Sequence, residues 1–136
     1  MRKGAAAYRA TTQDIEVTVS PSFLPEHSSP EKSRYVWAYE VEIRNDGNET
    51  VQLRNRHWLI TDANGNVEEV EGPGVVGEQP TLEPGAAFRY TSGCPLSTPS
   101  GIMVGRYEME RPSGERFMVD IPPFSLDLPD DGRTIN

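Results

Sequence analysis

A chain of 136 residues, 35% of them hydrophobic, has room for one domain with one core. Its formal net charge of −8 repels phosphate backbones, which argues against a sequence-independent nucleic-acid binder. The single cysteine, Cys94, excludes an intrachain disulfide and cysteine-rich zinc sites and fits a reducing, cytoplasmic compartment.

Residues 1–12 read as a flexible tail with only Tyr8 to anchor it, followed by one domain over residues 13–129 and a second flexible tail at 130–136. The basic start, Met1-Arg2-Lys3, is like that of a signal peptide, but no apolar run follows it. Nor does any stretch approach the ~20 apolar residues of a membrane span. From Asp14 to Val19 the chain alternates, with Ile15, Val17 and Val19 on one face, which predicts a half-buried strand. Ser20 to Lys32 is rich in proline and serine and reads as a loop.

Tyr35 to Arg44 is the clearest strand, with Tyr35, Trp37, Tyr39, Val41 and Ile43 on one face; Asn45 to Asn48 supplies the turn after it. Val51 to Thr61 starts with Val51 and Leu53 inward and then switches to Trp58 and Ile60. The switch predicts a bulge near Asn55 to His57. Asn64-Gly65 is a hairpin signal, and Val67 to Glu71 returns from it. Gly72 to Pro80 reads as a loop, Ala86 to Thr91 as a strand and Gly93 to Gly101 as another loop. Ile102 to Glu110 and Arg116 to Ile121 form the last pair, joined at Pro112-Ser113-Gly114. About seven strands at this spacing predict an all-β, immunoglobulin-like antiparallel sandwich of two sheets. Negligible helix is expected, because every apolar alternation has period two.

Several patterns bear on chemistry. Gly72, Gly74 and Gly77 have the G-x-G-x-x-G spacing of a dinucleotide loop. That chemistry needs a strand before the glycines and a helix opening on them. Glu78 and Pro80 follow instead, so the glycines read as a sharp exposed loop, with an anion nest of backbone amides as the weaker version. Arg54 and Arg56 beside His57 could grip a phosphate or carboxylate, or lie on a solvated face paired with glutamates. His27 and His57 lack metal-ligand spacing, and Glu68, Glu69 and Glu71 lack EF-hand spacing. Cys94, Ser92 and Ser97 offer no nucleophile elbow. Val75 and Val76 form an apolar tip rimmed by Glu69, Glu71 and Glu78, which either meets a partner or folds back to cap the core.

An ordered series of segments carries a resemblance. It runs through Tyr39-Glu40-Val41-Glu42-Ile43-Arg44-Asn45, His57-Trp58-Leu59-Ile60-Thr61-Asp62 and Gly72-Pro73-Gly74-Val75-Val76-Gly77-Glu78-Gln79-Pro80. It continues through Leu82-Glu83-Pro84-Gly85, Phe88-Arg89-Tyr90-Thr91-Ser92-Gly93, the stretch from Leu96 to Tyr107 and that from Phe117 to Phe124. Over roughly Asp14 to Pro129 the chain resembles the ApaG family of small bacterial proteins. The resemblance implies a fibronectin type III-like sandwich and a link to cobalt tolerance and magnesium transport, with no catalytic residue to carry over. Similar domains are attached to some F-box proteins and to a polymerase-interacting protein in eukaryotes, a context of protein binding.

The expectation is a non-catalytic module, without cofactor, that binds a protein partner through its loops or an edge strand rather than nucleic acid or membrane. The alternative is a protein that binds a small ligand, an anion such as phosphate, or a divalent cation with the Gly72–Gly77 loop. The candidate contacts for either are Gly72, Gly74, Val75, Val76, Gly77, Glu78, Arg54 and Arg56.

Overall fold

The structure, a computed structural model, describes residues 7–129; residues 1–6 and the expected tail at 130–136 lie outside the described residues. Nine strands follow in order: β1 Tyr8–Thr12, β2 Ile15–Phe23, β3 Tyr35–Asn45, β4 Val51–Asp62, β5 Val67–Pro73, β6 Thr81–Leu82, β7 Ala87–Leu96, β8 Gly101–Glu110 and β9 Arg116–Leu126. Two single 3-10 turns, Pro25–His27 and Pro30–Lys32, are the helical pieces among the described residues, and neither is long enough to cross a membrane. One sheet runs β1-β2-β3-β7 and the other β5-β4-β8-β9, with β6 also on β4. Every pairing is antiparallel. The expected two-sheet sandwich is therefore present, with nine strands in place of about seven.

The two added strands are β1 and β6. Tyr8 to Thr12, assigned above to the tail, pair residue for residue with Val19 back to Ile15. Gln13 and Asp14 make the connection tight by taking left-handed backbone, with φ of 48° and 67°. Small and polar residues hid this strand; the Tyr8 ring, packed on Phe124, is its main apolar contribution. β6 holds two residues on the end of β4, where Leu82 is buried.

Side chains of alternate residues fill the space between the sheets. Ile15, Val17, Val19, Trp37, Val41 and Ile43 face inward from one sheet, and Leu53, Trp58, Tyr107, Val119, Ile121 and Phe124 from the other. β4 keeps its inward face across the register change because a bulge falls between Leu53 and Asn55, slightly earlier than expected. Trp58 then lies edge-on to both Tyr39 and Phe124. Gly105 makes room for it: a Cβ there would lie 2.6 Å from the Trp58 Cε3. Buried Asn45 fixes the β3–β4 turn, its amide donating to the Glu49 and Leu82 carbonyls at 2.8 and 2.9 Å.

Three predicted loops are partly strand: β5 takes Gly72 and Pro73 from the Gly72–Pro80 segment, opposite Arg56 and Asn55. β2 continues through Ser20 to Phe23, opposite Glu40 to Trp37 of β3. β7 continues past Thr91, with Ser92 to Leu96 opposite Tyr39 back to Tyr35 of β3.

Candidate functional site

The two sheets end in β7 and β5 on the same flank, and a cleft of about 350 Å³ lies between these edge strands. Tyr39, Trp58 and Met103 form its floor, with Tyr90 and Cys94 contributed by β7 and Glu68 and Val70 by β5. Alternation accounts for the β7 set: Phe88, Tyr90, Ser92 and Cys94 point between the sheets, while Arg89, Thr91 and Gly93 face outward.

The Gly72–Pro80 segment closes one end of the cleft with a hairpin. Val75 and Glu78 exchange both backbone bonds, at 2.8 and 2.9 Å, with Val76 and Gly77 in left-handed backbone between them. The two valines part company at this tip. Val75 is 1% exposed and belongs to the core, whereas Val76 is 55% exposed at the mouth of the cleft. Its φ of 43° is an outlier for a β-branched side chain. Gly74 has φ of 67°, and a Cβ there would run into the Glu78 carbonyl.

The amides of Gly74, Val75 and Glu78 all donate to backbone carbonyls, which removes them from any anion nest. No helix follows; the next element is β6. The glycine spacing thus serves a tight turn and the close approach of Arg56. That side chain lies against Gly72, and its Nη1 donates to the Pro73 and Gly74 carbonyls at 3.0 and 2.9 Å. Arg54 does not converge with Arg56: its Nε donates to Glu110 Oε1 at 2.5 Å, and it also exchanges hydrogen bonds with Gln79.

Burial sets the electrostatics of the cleft and of the core beneath it. Tyr90 and Tyr107 share a 2.5 Å hydrogen bond between their hydroxyls, and burial holds both phenols above the ordinary value of 10.0. Burial raises Tyr39 as well, opposed by a hydrogen bond to Ser92. The Cys94 thiol is pushed up to about 11, by burial first and the Glu68 charge second. At neutral pH it stays protonated and poorly nucleophilic. The cleft therefore offers aromatic and aliphatic walls, hydroxyl donors and one guanidinium, a set suited to holding a ligand.

The outer face of the second sheet carries a separate cluster. β4–β5 pairing sets His57 opposite Glu71 and Leu59 opposite Glu69. Two carboxylates thereby converge on one imidazole: Nε2 lies 2.6 Å from Glu69 Oε2 and 3.7 Å from Glu71 Oε2. Glu68 points the other way, to the cleft, so the three-glutamate cation reading is replaced by His57 with Glu69 and Glu71. His27 lies in a 3-10 turn outside the cluster.

Sequence reasoning flagged Val75, Val76 and Arg56 as contacts; it read Tyr39 only as an inward strand residue and missed Ser92 and Gly93 because β7 was expected to stop at Thr91. It also missed the His57 cluster, although the Asn64-Gly65 turn contained the signal. Pairing Thr61 with Val67 across that turn sets Glu71 opposite His57.

A family model described as the ApaG domain matches residues 25–111. The Protein ApaG of Brucella anthropi is 64% identical over 129 residues, covering 95% of this chain and 99% of the relative. That of Bradyrhizobium diazoefficiens is 63% identical over the same shares. A crystal structure described as an ApaA protein from Bordetella pertussis superposes with a TM-score of 0.83 at 45% identity, covering 93% of this chain and 98% of that one. With a family match over most of the domain and near full-length relatives at this identity, the chain belongs to the ApaG domain family.

Proposed function

We propose that the protein is a non-catalytic module that binds an extended segment of a protein partner along β7. The observation that carries this reading is the open flank, where a long edge strand borders an aromatic cleft. β7 has ten residues, an uninterrupted register with β3, one charged residue in Arg89, and no proline before Pro95. Edge strands of globular proteins are commonly guarded by charge, proline or bulges, and an unguarded one is a template for β-addition. A strand added to β7 would turn alternate side chains towards the cleft and over Val76.

The opposite lip supplies the charge. Glu68 of β5, on a chain of net charge −8, favours a segment in which basic residues alternate with apolar ones. The strained, exposed Val76 fits a contact residue, since strain of this kind concentrates at functional positions. The glycine-loop anion reading ranks second, because the Gly74, Val75 and Glu78 amides already donate to backbone carbonyls.

Affinity capture from a cell lysate, with the captured partner mapped by overlapping peptides, tests the proposal. Val76→Asp should keep the melting temperature and lose the captured partner, since aspartate tolerates left-handed backbone better than valine. Undiminished capture by this variant, or mapping to a folded surface rather than an extended segment, would sink the reading.

A further inference from the structure

We infer that His57, Glu69 and Glu71 form a binding site for a borderline divalent ion of the zinc class, on the outer face of the second sheet. This site is independent of the proposed cleft function.

The donor set is mixed, and the sheet register builds it. His57 on β4 and Glu71 on β5 are directly opposed, and Glu69 stands two residues along the same face of β5. One ligand atom from each lies within 4.8 Å of the other two. Donors about 2.0–2.2 Å from a common ion lie roughly 3.5 Å apart, so small rotamer changes suffice to close the set. The glutamate side chains can make that adjustment, being 58% and 70% exposed, while His57 is 20% exposed and provides a fixed point.

Charge also points to a cation. A single imidazole Nε2 faces two carboxylates and can bond only one of them well, at 2.6 Å, leaving the other at 3.7 Å. Even a protonated imidazole leaves one negative charge uncompensated among the three groups, and a divalent ion bound to neutral imidazole balances both carboxylates. On the far side of His57 the register places Arg106, with Asp120 next across the sheet, so the cation approaches from the β5 side. One nitrogen and two oxygen donors suit a zinc-class ion. Magnesium and calcium prefer all-oxygen shells. An ion held there would tie β5 to β4 and stiffen that edge strand.

Calorimetric titration of Zn²⁺ into the full chain in a non-chelating buffer, with Mg²⁺ in a parallel run, tests the site. NMR of the imidazole resonances is read in the same samples. One equivalent of Zn²⁺ should bind at least about tenfold more tightly than Mg²⁺ and shift the His57 resonances while leaving those of His27 in place. Affinity should fall as pH is lowered, because protons compete for the imidazole. His57→Asn and the double variant Glu69→Gln/Glu71→Gln should each weaken binding by about tenfold or more. Absence of binding, or a shift at His27 in place of His57, would overturn the assignment. So would stoichiometric binding undiminished in the double variant. The wild-type resonances decide the matter even if His57→Asn fails to fold.

Discussion

Along one long flank of the sandwich the sheets meet. β9 packs against β1 and β2, the Tyr8 ring lies on Phe124, the Tyr8 hydroxyl is 3.2 Å from Ser125 Oγ, and the Asp120 amide donates to Thr12 Oγ1. Along the other flank β5 and β7 stand apart, and the space between them is a cleft rather than a seam. Both flanks end in edge strands, so sheet geometry alone does not decide which one closes. A strand added at the N-terminal end covers the first flank. On the second, β5 carries Glu68, Glu69 and Glu71, while β7 shows Arg89 as its one charge. One flank is finished by packing and the other is left available.

The largest expected effect lies on the closed flank. Phe124 is 2% exposed and touches the rings of Tyr8, Tyr39 and Trp58, so Phe124→Ala should reduce stability by about 3–5 kcal/mol in urea denaturation. A loss under about 1 kcal/mol would mean that the flank is not closed by packing. On the open flank, Gly74→Ala should lower stability by about 1–3 kcal/mol, because the residue has φ of 67° and its Cβ would meet the Glu78 carbonyl.

Alkaline pH asks whether the cleft floor is dry. Burial raises the folded values of Tyr39, Tyr90 and Tyr107 above 10.0, and that of Cys94 from 9.0 to about 11. The unfolded chain therefore releases these protons first. Stability is unaffected well below pH 9 and falls as pH rises through that value, by about 1–2 kcal/mol at pH 10. Thiolate and tyrosinate absorbance should lag behind that of the unfolded chain. Coincident titrations would show that water reaches the floor.

The smallest effect is expected at Val76, and contrast with its neighbour separates the two valines of the hairpin tip. Val75→Asp puts a carboxylate into the core and should cost several degrees of melting temperature. Val76→Asp should stay within about 0.5 kcal/mol of the parent. Equal losses in the two variants would show that both valines cap the core.

These differences were legible in the sequence to unequal degrees. β3 could be read directly, because Tyr35, Trp37, Tyr39, Val41 and Ile43 alternate without a break. β1 could not, since its residues are half-buried or exposed and β9, which packs on it from the other sheet, lies far along the chain. The bulge in β4 was visible as a change of parity between Leu53 and Trp58, but parity does not say which intervening residue is the extra one. Glycine and proline at Gly93 and Pro95 suggested a loop where tertiary pairing with Ala38 and Val36 extends β7. That misreading hid the open flank. The apolar tip at Val75-Val76 was conspicuous by composition, yet only the hairpin geometry reveals that one valine is buried and the other displayed.

In the proposed function, the open flank receives an extended partner segment on β7. Amide hydrogen exchange of the protein, alone and with its captured partner, tests this most directly, because strand addition protects outer-edge amides that exchange freely in the unbound protein. New protection is expected in Ala87 to Cys94 and at the Val76 tip, with β1 and β9 unchanged. Protection confined to the outer sheet faces or to the closed flank, with β7 exchanging as in the free protein, would contradict it.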